Sequence, residues 1–305
     1  MWKFLKINNS KLSKKSNLIF YIGMLALPVI QFILMYVVVN FNSFLLAVQE
    51  FDGISYSFIG FDNFKQVFHN LANQDELLAS AANSITYYFI SLVFSTFLSV
   101  FFSFYIYKKK FASDFFRLML FIPSILSSII MAVIFKYMAD RAIPQMVNSL
   151  FGKEFQGLFA DPKYMKGTIF FYNVWIGFGA SILVYSGTMK EIPESIVEAA
   201  KLDGITPLKE FWFITIPCIY PTFVTFIVAG VAGIFTNQLN LFSFFGETIS
   251  FEYQTFGYYL YNAMYKKDPY SYPYLAALGL TFSFIAIPIT LIMRKLLFKF
   301  GPSES

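Results

Sequence analysis

Met189-Lys-Glu-Ile-Pro-Glu-Ser-Ile-Val-Glu-Ala-Ala-Lys-Leu-Asp-Gly-Ile-Thr-Pro-Leu-Lys-Glu-Phe-Trp-Phe-Ile-Thr-Ile-Pro217 is the polar stretch around which the rest of the chain organises itself. It lies between two apolar runs, Gly167–Thr188 and Pro217–Phe235, and parses as two short helices with a break. Pro193 is tolerated in a first helical turn, and Glu194–Asp203 suits a helix with Ile196, Val197 and Ala200 on one face. Gly204 supplies the terminator, because glycine enters the left-handed conformation after a helix without steric cost. Thr206 and Pro207 restart the chain as N-cap and first helical residue. The sequence therefore predicts a sharply bent element at the membrane surface. Ala199 and Ala200 keep it slim enough for close approach by a partner, while Glu198 and Asp203 offer acceptors. A plug for a partner's groove and an amphipathic linker lying on the bilayer both fit this description.

Working outward, a bilayer core takes roughly 20 apolar residues as a helix. Six such runs occur: Leu18–Val39, Ser84–Tyr107, Phe115–Met138, Gly167–Thr188, Pro217–Phe235 and Tyr272–Met293. They are too long and too evenly apolar for barrel strands, so the expected fold is all-α, integral to the membrane, with six transmembrane helices in a single domain over residues 1–305. Composition agrees. Of 305 residues, 57% are hydrophobic and only 13% charged, too few to cover a water-facing surface. The 41 Phe, 20 Tyr and 3 Trp suit lipid contact and interface belts.

The first run follows Lys3, Lys6, Lys11, Lys14 and Lys15 like the charged start of a signal peptide. It is longer than a signal core and lacks a clear small-residue cleavage site, so it is expected to remain as a span. With both termini cytoplasmic, 15 of the 23 Lys and Arg residues fall on the inner side, the direction the positive-inside rule favours. The loop Ala139–Lys166 carries four basic residues on the other side and weakens that asymmetry locally.

Several function classes drop out. The net charge of +5 is spread in short clusters between apolar runs, which gives no nucleic-acid face. One Cys (Cys218) and one His (His69) exclude a disulfide framework and leave no His/Cys metal site. Cys218 reads as a small hydrophobe and His69 as a solvated loop residue. Lys136, near the outer end of the third run, is the one clearly intramembrane charge, so the acidic and imidazole groups typical of ion-coupled transporters are missing. Sodium sites made of backbone carbonyls would escape that test. No phosphate-binding glycine loop, H-E-x-x-H or G-x-S-x-G occurs, so energy for active transport would have to come from another polypeptide.

Glu198-Ala199-Ala200, three residues, Gly204, nine residues, then Ile214-Thr-Ile216-Pro217 resembles the EAA motif, E-A-A-x3-G-x9-I-x-L-P, of membrane subunits of binding-protein-dependent ABC importers. Ile216 in place of Leu is the single departure. Ile192-Pro193 and Asp203-Gly204 resemble the sugar-importer version of that motif. Phe58-Ile-Gly60-Phe-Asp62-Asn63-Phe64 and Asn83-Ser84 are similar to segments of the MalF/UgpA type of sugar permease. Tyr272-Pro-Tyr-Leu-Ala-Ala-Leu-Gly279 and Phe300-Gly301-Pro302 are similar to oligosaccharide permeases of low-GC Gram-positive bacteria.

The resemblance implies a type I ABC importer permease fold in which residues 189–216 form the coupling loop, with Glu198, Ala199, Ala200, Asp203 and Gly204 docking into an ATPase subunit. It implies four partners besides membrane lipid: a second permease in a heterodimer, two ATPases that bind ATP and Mg, and an extracellular solute-binding protein. This chain would hold no cofactor of its own. The implied cargo is a carbohydrate, an oligosaccharide by size class, moved by alternating access across a Gram-positive plasma membrane. A self-contained or sodium-coupled secondary transporter is the competing reading, with the loop as a mere linker.

For the substrate path, the resemblance points to the spans on either side of the loop. Asn173, Ile176, Gly177 and Ala180 share a helical face. Gly177 with Ser181, and Ala229 with Gly233, would serve equally as packing seams between helices. Asn237, Gln238 and Asn240, with Phe235 and Phe242 beside them, combine amides for hydroxyls with aromatic faces for a sugar ring. Asn173, Gly177, Asn237 and Asn240 are the resulting candidates.

Overall fold

The computed structural model describes residues 14–152 and 154–302; Lys3, Lys6 and Lys11 of the basic N-terminal cluster lie outside them. In chain order, α1 (Lys14–Phe32) passes through a π-helical turn, Ile33–Val38, into α2 (Val39–Ala47). A hairpin of β1 (Gln49–Phe51) and β2 (Tyr56–Phe58) follows, then α3 (Asp62–Asn73), α4 (Asp75–Tyr107), α5 (Ser113–Ile125) and α6 (Ser128–Tyr137). Next come a π turn at Met138–Ala142, α7 (Ile143–Phe151), α8 (Pro162–Lys190), α9 (Glu194–Leu202) and α10 (Pro207–Glu210). A third π turn, Phe211–Thr215, leads into α11 (Ile216–Ala232), α12 (Leu241–Phe245), α13 (Phe256–Tyr265) and α14 (Tyr272–Phe300).

Among the described residues, five helical stretches are long and apolar enough to cross a bilayer: Phe20–Ala47, Asp75–Tyr107, Pro162–Lys190, Pro207–Ala232 and Tyr272–Phe300. Most extend past the apolar runs that announce them, because helical hydrogen bonding continues into polar sequence at the interface. α8 shows how such an end is made: Asp161 caps it by accepting from the Lys163 N–H at 2.9 Å, and Pro162 takes the first helical position. The expected third span, Phe115–Met138, is broken instead. α5 and the helix that begins at Ser128 meet at 103°, with Leu126 and Ser127 in extended conformations (ψ 153° and 130°). Pro123 removes a ladder N–H there, and Ser124 Oγ turns back to the Phe121 carbonyl at 2.7 Å. Counted as one broken span, the pair brings the total to six. His69 lies, exposed, on α3 rather than in a loop.

The chain divides into two units, one running to Gln66 and including Pro269–Leu280, the other covering Val67–Asp268 and resuming at Thr281. In the first, Asp52 closes the β-hairpin by accepting from the Ile54 and Ser55 N–H groups at 2.8 and 2.7 Å. These donors hold its carboxyl below the ordinary carboxylate range. Asn63, buried, donates to the Ala47 and Gln49 carbonyls at 3.0 and 2.7 Å and so ties the end of α2 to the hairpin. The tie explains an Asn in the F-x-G-x-x-N-F segment.

The second unit is built on α4 and α8, which lie side by side. Ser99 and Ser103 on α4 donate to the Phe178 and Ile182 carbonyls of α8 at 3.3 and 3.1 Å. α5 crosses α8 at Gly179, where an added Cβ would stand 2.2 Å from the Leu120 carbonyl oxygen. Lipid tails are as apolar as leucine, so association rests on this close packing and on interhelical hydrogen bonds. An aromatic cluster closes one end: Phe135 and Phe244 each lie 4.8 Å, centroid to centroid, from the buried Tyr172. Lys136 is satisfied beside it by the Phe244 carbonyl, with its ammonium 5.2 Å from the Phe245 ring centre.

Candidate functional site: a surface hook and a polar cavity

The bent element forms as its sequence predicts, with small shifts. α9 ends at Leu202 with Asp203 as its C-cap, and Gly204 adopts φ +71°. Gly204 N–H bonds the Lys201 carbonyl at 3.0 Å and Ile205 N–H bonds the Ala200 carbonyl at 3.1 Å. That pair of bonds is a Schellman motif, which turns the chain sharply while satisfying carbonyls at the helix end. Pro193 stands one place earlier than its first-turn role requires, as the N-cap.

The hook has two faces. Val197 and Ala200 are buried, Val197 in a cluster with Ile192, Met189, Tyr185, Val100, Phe211 and Ile219, which belong to α4, α8, α11 and the turns beside them. Ile196, expected on that face, is exposed. Glu198, Ala199, Asp203 and Gly204 are exposed, and Leu202 is 90% exposed. The short helix thus seats one side on the bundle and presents a carboxylate, a small residue and a leucine on the other.

Two charged residues that sequence reading passed over complete the hook. Glu210, at the end of α10, is buried and pairs with Lys108 at the end of α4. Lys108 also lies over the Tyr107 and Phe104 rings, 5.1 and 5.6 Å from their centres. The partners are 102 residues apart, so no local pattern could announce them.

The second site lies beyond the end of α11. Asn173 on α8 donates to the Leu239 carbonyl at 3.1 Å, and its own Oδ1 accepts from Asn240 Nδ2 at 3.4 Å. The structure thus brings two of the four candidate path residues into contact. Their amides are partly spent in clamping the turn after α11 to α8. Asn237 Oδ1 accepts from Leu239 N–H at 2.8 Å, and Thr255 Oγ1 donates to the Asn237 carbonyl at 2.9 Å. Leu239 and Asn240 both have positive φ, 51° and 57°, which an Asn tolerates and which makes this a tight, specified turn.

A cavity of about 410 Å³ opens beside that turn, lined on the α4 side by Ser84, Tyr87, Tyr88 and Ser91 and on the other by Gly230, Gly233, Thr236, Asn237 and Thr255. Ala229 and Gly233, read as a possible packing seam, line it instead. Gly230 lets the Tyr88 ring approach, 2.7 Å from where a Cβ would sit, while Tyr88 OH donates to the Ile227 carbonyl at 2.9 Å. The buried Tyr87 hydroxyl has no hydrogen-bond partner. Ser84, Tyr87, Tyr88 and Ser91 follow i, i+3, i+4, i+7 spacing, a polar stripe legible in the sequence and missed there. Ser95 continues it, and its Oγ is the nearest atom to a Cβ built on Gly177, at 3.8 Å. Gly177 is therefore exposed on α8 without a tight neighbour and outside the cavity lining, while Gly179 makes the close crossing. A hollow of about 550 Å³ near Lys136, Asp140 and Arg141 shares none of these lining residues.

Ser84 and Asn83 earn their places in structural terms. Ser84 Oγ accepts from Phe256 N–H at 2.8 Å, and Asn83 Nδ2 donates to the Glu252 and Gln254 carbonyls at 2.9 and 3.1 Å. Together they moor the start of α13 against α4.

Comparison with known proteins agrees with this architecture. The probable ABC transporter permease protein YurN of Bacillus subtilis is 23% identical over 285 residues, 91% of this chain and 95% of YurN. The maltose/maltodextrin transport system permease protein MalF of Klebsiella aerogenes is 25% identical over 183 residues, 59% of this chain. The chain spans only about a third of MalF, 35% of its length. The multiple sugar-binding transport system permease protein MsmF of Streptococcus mutans is 29% identical over 61% of this chain and 63% of its own. A solved bacterial ABC transporter involved in the import of the acidic polysaccharide alginate shares the fold, with a TM-score of 0.76 at 18% identity over 94% of this chain and 97% of that one. Residues 81–300, which carry both the hook and the cavity, match the family described as binding-protein-dependent transport system inner membrane component, and the chain belongs to that family.

Proposed function

We propose that this chain is the permease subunit of an ATP-driven ABC importer that moves a carbohydrate, an oligosaccharide by its size class, across the plasma membrane of a Gram-positive bacterium by alternating access. The observation that carries the reading is the hook: a Schellman-terminated helix seated on α4, α8 and α11 through Val197, with Glu198, Ala199 and Asp203 left exposed. Such an element has little reason to be displayed on a bundle that works alone. In this reading both termini are cytoplasmic and residues 1–305 act as one permease domain. Glu198, Ala199, Ala200, Asp203 and Gly204 couple it to an ATPase. Two ATPase subunits bind ATP and Mg, a second, different permease completes the pore, and an extracellular solute-binding protein delivers the sugar.

ATP shifts a two-state equilibrium only as far as the docked loop makes different contacts in the two states. The exposed face supplies those contacts, and the buried face passes their effect to the helices around the cavity. At the cavity, Tyr87, Ser84, Ser91 and Asn237 line about 410 Å³ of space, a size suited to part of a sugar chain. Asn173 and Asn240 hold the turn whose Leu239 lines it, and Gly177 extends the path along α8.

The test uses the intact transport system. Glu198→Lys and Gly204→Val are expected to abolish sugar uptake and to lose the ATPase on copurification, with the permease still inserted. Uptake that survives both substitutions, or that the purified chain performs unaided, supports a secondary transporter and refutes the proposal.

A further inference from the structure

Resting on that reading, we infer that Lys108 and Glu210 are positioning residues for energy coupling: their buried ion pair pins the trailing half of the hook to α4, so that a push on α9 reaches the cavity instead of being absorbed at the bend.

The hook has a weak point of its own making. Between α9 and α10 the chain runs through Gly204 at φ +71° and an extended Thr206 with ψ 154°. No side-chain hydrogen bond caps α10. The two short helices could pivot there. α9 is held by Val197 and Ala200, but the route from α10 into α11 is a run of helix that passes through the π turn Phe211–Thr215. α10 is thus the first turn of the long helix Pro207–Ala232, and Glu210, 8% exposed, ties that first turn to α4 through Lys108, 17% exposed. Phe211, the next residue, sets its ring 5.0 Å from that of Phe104, one turn before Lys108 on α4. The same α4 carries Ser99 and Ser103, bonded to α8, and the polar stripe of the cavity.

Charge makes the pin stiff. The surface pair Lys65–Asp62, with side chains 77% and 60% exposed, is screened by water and holds little. Lys108–Glu210 is shielded, and losing one partner strands a buried charge, so its geometry is enforced. An apolar contact would hold α10 nearby but would let it slide.

The experiment reconstitutes the whole transporter, with both permeases, ATPases and binding protein, in vesicles and measures ATP hydrolysed per sugar imported, per assembled complex. Wild type must import with ATP; if it does not, the functional reading itself fails and the pair is not at issue. With wild type coupled, Glu210→Gln is expected to raise the ATP-to-sugar ratio by about tenfold, within the range of energetic couplings between sites. The Lys108→Glu/Glu210→Lys swap should bring the ratio back to within about threefold, short of full recovery because the cation over the Tyr107 and Phe104 rings is lost. An unchanged ratio in Glu210→Gln overturns the inference. So does a variant that assembles poorly yet couples normally in whatever assembles, since the pair would then only stabilise the fold. A swap as uncoupled as the single variant overturns it as well.

Discussion

Replacing Gly179 by Ala tests the packing argument at its tightest point. A Cβ at this position meets the Leu120 carbonyl oxygen at 2.2 Å, with Leu120 C at 3.4 Å and Phe121 Cα at 3.9 Å. The oxygen is backbone and cannot rotate away. Relief requires α5 and α8 to separate by about 1 Å, which forfeits a quarter to a half of the dispersion energy of the atoms along the crossing. Overpacking of this kind costs about 1–3 kcal/mol, and at about 2–4 °C per kcal/mol for a chain of this order the unfolding midpoint should fall by about 2–12 °C. The assay is thermal unfolding of the detergent-solubilised transporter, with Gly177→Ala beside it. That glycine sits two residues away on the same helix but has only Ser95 Oγ near its Cβ position, at 3.8 Å. Its midpoint should stay within about 1 °C of wild type, well below the shift for the tight site. Equal stability of the two variants, or a larger loss at Gly177, would refute the crossing as described.

In the first unit, Asn63→Ala leaves the Ala47 and Gln49 carbonyls without the buried amide that binds both. A destabilisation of about 1–3 kcal/mol is expected, read as faster proteolysis between α2 and the hairpin, whereas Asn63→Asp, which cannot donate when ionised, should be at least as harmful. The hairpin turn also has a pH signature. Asp52 has a folded pKa below its ordinary value because Ser55 and Ile54 N–H groups favour the carboxylate, so its contribution to turn stability is present above about pH 4 and disappears as pH falls through the lowered folded value. Protection of the Ile54 and Ser55 amides, relative to their intrinsic exchange at each pH, should fall on acidification below pH ~4, and Asp52→Asn should remove that step; protection that does not change with pH would contradict it.

Elements that depend on a single helix's own residues were legible before any coordinates. Run length and apolarity announced the spans, and Gly204 announced its bend, because a positive φ has few tenants and the Schellman bonds are local. Asn173 stood out because an amide on an apolar helix needs a partner. Its partner, Leu239 in the turn after α11, did not. Proline alone did not mark where a span breaks. Pro28, Pro221 and Pro288 lie inside helices that continue, while Pro123 sits three residues before the 103° break. A missing N–H costs much the same in each case, so the proline itself does not decide whether the chain turns. Gly177 and Gly179 look alike in sequence for a similar reason, since which one faces α5 is fixed by the crossing and not by the helix.

The side-chain hydrogen bonds of the second unit share a logic that bears on how the molecule moves. Tyr88, Ser99 and Ser103 of α4, Asn173 of α8 and Tyr220 of α11 all donate to backbone carbonyls on another segment, Ile227, Phe178, Ile182, Leu239 and Leu297 respectively. A carbonyl already used in a helix ladder keeps a second lone pair, so these bonds join helices without unwinding either one. In hydrocarbon, breaking such a bond returns no water to the freed groups, though transmembrane partners exchange readily enough that each is worth only about 0.6 kcal/mol. Individually weak and jointly placed, they make α4, α8 and the turn after α11 one body, while the hook is fastened to that body through apolar contact at Val197 and charge at Lys108. The cavity is lined by the same α4 and by residues at the end of α11. The hook and the cavity are therefore joined through one element, α4, which meets the hook at Val100 and Lys108 and lines the cavity at Ser84, Tyr87, Tyr88 and Ser91.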